Sequence, residues 1–184
     1  MIVCMASGNG SNFKAIVEFG IPIDLIITNN VKAGVINKAL DANIQCIISE
    51  DRYEDCVPDN TDLVILAGFM RLLSKEFVTK YPTVNIHPSL LPSFKGKDAV
   101  PQALDAGVRV AGCTVHWVDE GMDTGKIIEQ ASCPVWDDDN EHTLHAKIHE
   151  LEHKIYPKTI KQILLERSII NEQSRYCRPR LHIS

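Results

Sequence analysis

The 184-residue chain is 45% hydrophobic and 23% charged, ordinary values for one globular domain with a full-sized core, and its net charge is −5. That acidic balance argues against a general nucleic-acid binder, and no run approaches the roughly 20 apolar residues that span a bilayer. The opening MIVCMASGNG lacks the basic and long apolar regions of a signal peptide, and six scattered cysteines without a CxxC pair read as reduced core residues. We therefore expect a cytoplasmic protein folded as a single domain over residues 1–184, with neither nucleic acid nor membrane as partner. Nothing in the sequence sets its oligomeric state.

Residues 1–6 form a short apolar run, a buried first strand. SGNGSN (7–12) follows and leads into a helical pattern from Phe13. A strand, a Gly-rich turn and a helix start make an anion site, because free N–H groups and the helix dipole converge there. The same spacing suits a plain tight turn with a cap, and it completes neither a Walker A loop nor GxGxxG. Residues 23–28, 44–48 and 63–67 are further apolar runs, with a helix expected over 31–41. Strands alternating with helices imply right-handed βαβ units and a mostly parallel sheet, an α/β protein. GFMRLL (68–73) then reads as an apolar helix start with one charge.

The stretch VNIHPSLLPSFKG (84–96) carries the chemistry. Asn85 and His87 sit one residue apart at the expected end of a strand, so alternation sends both to one face. Pro88 has no N–H to donate and stops the ladder just after them. An amide and an imidazole then lie together at the C-terminal edge of a sheet, where open α/β folds bind ligands. Residues 99–106 read as a helix and 108–118 and 126–135 as strands, with the acidic loop DEGMDTG (119–125) between those strands. Residues 142–167 form a long helix that Pro157 would kink, and 168–184 read as terminal strand or coil. The helix contains His149-Glu150-Leu151-Glu152-His153, an HExxH pattern that could seat zinc between two histidines one turn apart. The metzincin extension is absent, and a third ligand would have to be Glu166 or Glu172.

NIHPSLLPSFKG closely resembles the signature of the folate-dependent formyltransferases, and SGNGSN, AGFMRLLS and EHKIYP (152–157) match the same family in the same order. The resemblance implies a Rossmann-like formyltransferase fold, a mostly parallel twisted sheet flanked by helices. It implies transfer of a formyl group from 10-formyltetrahydrofolate, a cosubstrate, to the amine of glycinamide ribonucleotide in purine synthesis, with no metal. Asn85, His87 and Asp123 inherit the catalytic roles. Gly10, Ser11 and Asn12 inherit the substrate's phosphate, while His149, Glu150, Leu151 and Glu152 inherit the rest of the substrate, Glu152 its amino end. Met70, Leu72 and Leu73 would wall the pterin pocket, and Arg71 would face the glutamate carboxylates. Asp119, Glu120, Gly121, Met122 and Asp123, together with Asn85, complete the folate site. Arg52 matches an arginine that meets the folate tail, although residues 49–62 are shorter than the family pattern; an exposed, solvated arginine is the other reading. A cis Leu91–Pro92 bond is also implied. Two relatives share the core pattern: a longer transfer-RNA formyltransferase and a formylfolate deformylase with an added N-terminal domain.

Overall fold

The computed structural model describes residues 1–176, as backbone alone beyond Ser168. Seven strands make one sheet: β1 (Ile2–Met5), β2 (Leu25–Thr28), β3 (Gln45–Ile48), β4 (Leu63–Leu66), β5 (Thr83–His87), β6 (Val110–Trp117) and β7 (Ile127–Pro134). Their spatial order is β3-β2-β1-β4-β5-β6-β7. The first five run parallel; β6 and β7 are antiparallel to their neighbours. β1, β2 and β4 are buried along their whole length, because a parallel strand in the middle of a sheet is covered on both faces.

Two apolar layers flank the sheet. One holds Phe13 and Ile16 from α1 (Ser11–Glu18), Val35 and Ala39 from α2 (Val35–Asp41), and Leu144, Ile148 and Tyr156 from α5 (Glu141–Tyr176). The other is built on Phe77 and Tyr81, in and just after α3 (Lys75–Lys80). α4 (Ala99–Asp105) adds Val100 to the first layer. The Tyr156 hydroxyl is wholly buried and lies 2.8 Å from the Leu66 carbonyl and 3.0 Å from that of Val84, tying α5 to the ends of β4 and β5.

The strands fall within two residues of their expected bounds, and the Leu91–Pro92 bond is cis. Three expectations need correction. Residues 31–34 are a turn rather than helix, since Asn30 accepts from Lys32 N–H on its side chain and from Ala33 N–H on its carbonyl. Residues 68–73 are loop rather than a helix start. Their backbone is tied to the loop after β1, with Ser7 N–H donating to the Gly68 carbonyl (3.0 Å) and Met70 N–H to Ser7 Oγ (2.8 Å). The helix waits for Ser74, whose hydroxyl accepts from Phe77 N–H as an N-cap. At the other end, α5 passes through Pro157 and continues to Tyr176 instead of giving way to strand or coil at 168, because no Gly or Pro interrupts SIINEQSRY. Residues 177–184 of that expectation lie outside the described residues.

Candidate active site

From β1 the chain moves through α1 to β2 on one side, and it returns later to β4 on the other. Loops after such neighbouring strands diverge and leave a crevice at their C-terminal ends. Here the crevice is a cavity of about 1280 Å³ bounded by the loops after β1, β4 and β5, the loop between β6 and β7, and one face of α5.

The loop after β1 builds one end. Gly10 has φ +77°, and a Cβ there would come within 2.8 Å of Val35 Cβ, so only glycine fits without displacing α2. Gly10 also stands at the cap position of α1, where no side chain caps the helix and the first-turn N–H groups stay open. Ser11 Oγ lies 2.7 Å from His149 Nε2, and Asn12 Nδ2 donates to Glu152 Oε2 at 3.0 Å. Glu152 is only 7% exposed, and burial pushes its carboxyl up to about 7 against the pull of the Asn12 hydrogen bond. Asn12 Oδ1 is buried with no partner. Gly10, Ser11, Asn12, His149 and Glu152 thus come together at the cavity wall. Glu150 and Leu151 do not: Glu150 is exposed and Leu151 packs against the core. Each helical residue turns about 100° from the last, so positions 149 and 152 share a face that 150 and 151 leave.

The opposite rim is apolar. Met70, Leu72 and Met122 stand 68%, 67% and 51% exposed around the cavity, beside Leu73 and Arg71. Residues 49–62 brace this loop, since the Tyr53 hydroxyl donates to the Leu72 carbonyl (3.2 Å) and its ring packs edge-on against Phe69. Arg52 is not in the cavity wall. Its side chain is 83% exposed and paired with Asp55 three residues on, at 2.7 Å, a local partner that holds it outside. Asp119, Glu120, Gly121 and Met122 all line the cavity; Asp119 closes its own loop by accepting from Gly121 N–H and the Thr124 hydroxyl.

Between these rims lies the polar centre. Val84 and Ile86 point into one apolar layer, so Asn85 and His87 share the other face. The Phe94 carbonyl only accepts, so His87 Nε2 carries the proton and donates to it at 2.8 Å, leaving Nδ1 3.4 Å from Asp123 Oδ2. Asp123, at φ +51°, also receives Gly96 N–H at 2.8 Å. Burial opposes its charge, but hydrogen bonding from His116, the Gly96 N–H and the neighbouring imidazoles outweigh that and hold its carboxyl below the usual range.

His116 was not anticipated. It faces Asn85 across the antiparallel β5–β6 pair, with Nε2 3.2 Å from Asn85 Nδ2 and 3.5 Å from Asp123 Oδ1, and it is almost completely buried. The alternation Thr114-Val115-His116 carried part of this signal, but its register against Asn85 did not show in the sequence. The two contacts of Nε2 make opposite demands: it must accept from an amide N–H but donate to a carboxylate. The Trp117 carbonyl, 2.9 Å from Nδ1, only accepts, so Nδ1 carries a proton; Nε2 of the neutral ring then accepts from Asn85 Nδ2, and it donates to Asp123 only in the imidazolium form.

The HExxH pair sits on the α5 face beside Ser11, with the His149 and His153 rings 4.6 Å apart and Glu150 exposed. Among the described residues, no group of three His, Cys, Asp or Glu side chains is arranged to hold a metal.

Fold and cavity together define a doubly wound α/β protein with an amide, two imidazoles and a carboxylate gathered at the C-terminal edge of its sheet. The formyl transferase family matches residues 48–160, more than half of the chain. A phosphoribosylglycinamide formyltransferase from Bacillus subtilis is 42% identical, covering 86% of this chain and 92% of that protein. The trifunctional purine biosynthetic protein adenosine-3 of Drosophila melanogaster is 37% identical over 94% of this chain, which spans 14% of its length. The crystal structure of phosphoribosylglycinamide formyltransferase from Anaplasma phagocytophilum superposes with a TM-score of 0.85 at 37% identity, covering 90% of this chain and 86% of that one. The chain belongs to the formyl transferase family.

Proposed function

We propose that this chain transfers the formyl group of 10-formyltetrahydrofolate to the amine of glycinamide ribonucleotide, a step of purine synthesis. The observation that carries the reading is the position of Asn85, His87 and Asp123 between an apolar rim and an uncapped helix start. The rim of Met70, Leu72, Leu73 and Met122 suits a flat heterocycle, with Arg71 at its edge for carboxylates. The start of α1 suits a phosphate. The likeness to phosphoribosylglycinamide formyltransferases supports the same pairing of substrates.

On this reading the amine attacks the formyl carbon, and negative charge grows on the formyl oxygen. Asn85 Nδ2 has two N–H donors, one for His116 Nε2 and one for that oxygen, and a protonated His87 gains an Nδ1–H that donates more strongly. Asp123, 3.4 Å from the His87 ring, relays the proton that the amine loses, directly or through water. The tetrahedral adduct then expels the folate nitrogen, which leaves with a proton. Gly10, Ser11 and Asn12 hold the phosphate, with His149 beside them on the substrate and Glu152 toward its amino end. Asp119, Glu120 and Gly121 contribute backbone to the folate side. The partners are these two small molecules, the formylfolate is a cosubstrate, the setting is the cytoplasm, and the reaction calls for no metal or covalent nucleophile.

The test is to incubate purified protein with the formylfolate, with and without glycinamide ribonucleotide, and to follow both products by mass. Formylated ribonucleotide, formed only with the acceptor present, is expected. Equal release of formate without acceptor would mark a deformylase and overturn the proposal.

A further inference from the structure

Resting on that reading, the charge that meets the substrate's phosphate can be traced. The helix start supplies N–H dipoles, and one lysine ammonium is tied to the loop at Asn9. Lys38 donates to the Asn9 carbonyl and side chain at 2.7 and 3.0 Å, and Lys14 pairs with Glu18 at 3.5 Å. The side chain that touches the loop from across the cavity is His149, 2.7 Å from Ser11 Oγ and half-buried. Its ring is flanked one turn to either side by His145 and His153, at centroid distances of 5.2 and 4.6 Å.

The surroundings decide when this ring is charged. Burial, then the neighbouring His153 and His145, hold the His149 pKa below the ordinary histidine value. Glu152 Oε2 lies 3.7 Å away, with its own carboxyl pushed up to about 7 by burial. On α1, Glu18 acts on His153, and Lys97 and Asp98 line the same cavity from the start of α4. With the cavity free of substrate, the ring is held toward its neutral form near neutral pH.

We propose that His149 is a proton-dependent ligand for the substrate's phosphate, binding it as imidazolium, so that substrate binding draws a proton onto the ring. A phosphate dianion at the start of α1 favours the charged ring, and by reciprocity a proton on the ring favours the phosphate. Affinity for the ribonucleotide is then highest at mildly acid pH and falls as pH rises, by at most about tenfold per unit while the free ring is neutral and the bound ring charged. The formylfolate, which meets other residues, shows no such dependence on His149.

The experiment measures KM for both substrates from pH 6.5 to 8.5 in wild type, His149→Gln and His149→Lys. Titration calorimetry in buffers of different ionisation enthalpy counts the protons taken up with the ribonucleotide. In wild type we expect its KM to rise roughly tenfold over that range, with measurable proton uptake near pH 7.5. His149→Gln should be weak throughout, His149→Lys tight throughout, and both should lose this uptake. An unchanged pH profile or proton count in His149→Gln would assign the effect to Glu152 or to the phosphate itself and overturn the proposal. A flat wild-type KM alongside brisk formylation would do so as well, leaving the function intact. Absence of formylation in the wild type would instead sink the functional reading.

Discussion

Asp123 keeps its charge against the cost of burial because Gly96 N–H and two imidazoles surround it. Replacing it by Asn preserves size and removes that charge. We expect turnover in Asp123→Asn to fall by about 10²–10⁴, the range for losing a positioned acid–base group. Formylfolate affinity, which we propose rests mainly on residues 70–73, should change less than about threefold, since a loss confined to turnover marks an interaction made in the transition state. Rapid-quench rates and equilibrium binding check this; full activity would leave Asp123 a loop carboxylate only. Gly10 tests the other end of the cavity. A side chain there must adopt a left-handed backbone at about 1–2 kcal/mol and push against Val35. In Gly10→Ala, KM for the ribonucleotide should rise roughly tenfold, about 1.4 kcal/mol of lost binding, while KM for the folate holds. Equal rises in both would show that the loop is structural alone.

At the scale of elements, α5 is both wall and clamp. Its cavity face carries His145, His149 and Glu152, while Tyr156, one turn on from Glu152, reaches the ends of β4 and β5. Those strands lead into the loop at 68–73 and into Asn85 and His87, so the buried hydroxyl joins the two halves of the site. Tyr156→Phe removes the one buried O–H that these two carbonyls share, at a cost of about 1–3 kcal/mol. For a chain of this size each kcal/mol lowers the melting temperature by about 2–4 °C. Differential scanning calorimetry should show that loss; an unchanged transition would mean that water replaces the hydroxyl without cost.

For the molecule as a whole, the two site carboxylates pull stability in opposite directions with pH. Glu152 keeps its proton to about pH 7 when folded but loses it near 4.3 when unfolded. Between those values the folded chain binds more protons, so stability is full below about pH 4.3, falls through the window and levels off above about 7. The displacement corresponds to a cost of up to about 4 kcal/mol at alkaline pH. Asp123, with its lowered pKa, contributes stability that is present above the ordinary carboxylate range and lost as pH falls. Glu152→Gln should therefore be more stable than wild type at pH 8, with a flatter decline between pH 5 and 7, and should bind the ribonucleotide less well. Urea unfolding at several pH values measures the first part. Coincident wild-type and mutant curves would show that Glu152 does not titrate in that window.

The sequence alone determined the strands, the α/β alternation and the shared face of Asn85 and His87, because each follows from a backbone repeat within one short segment. Val84 and Ile86 turn to the core, and their neighbours turn the other way. The glycine in SGNGSN was legible for the same reason: its demand on φ is local. Tertiary structure alone placed His116 opposite Asn85, 31 residues apart in the chain, and Tyr156 on Leu66, 90 apart. It also took residues 68–73 out of helix, by giving their backbone to Ser7, and chose which face of α5 meets the cavity, the one that carries His149 and Glu152. Arg52 followed its nearest carboxylate rather than the site. A repeat fixes which way a side chain points from its own strand or helix, whereas register, loop ties and partners depend on which distant segments the packed core brings alongside.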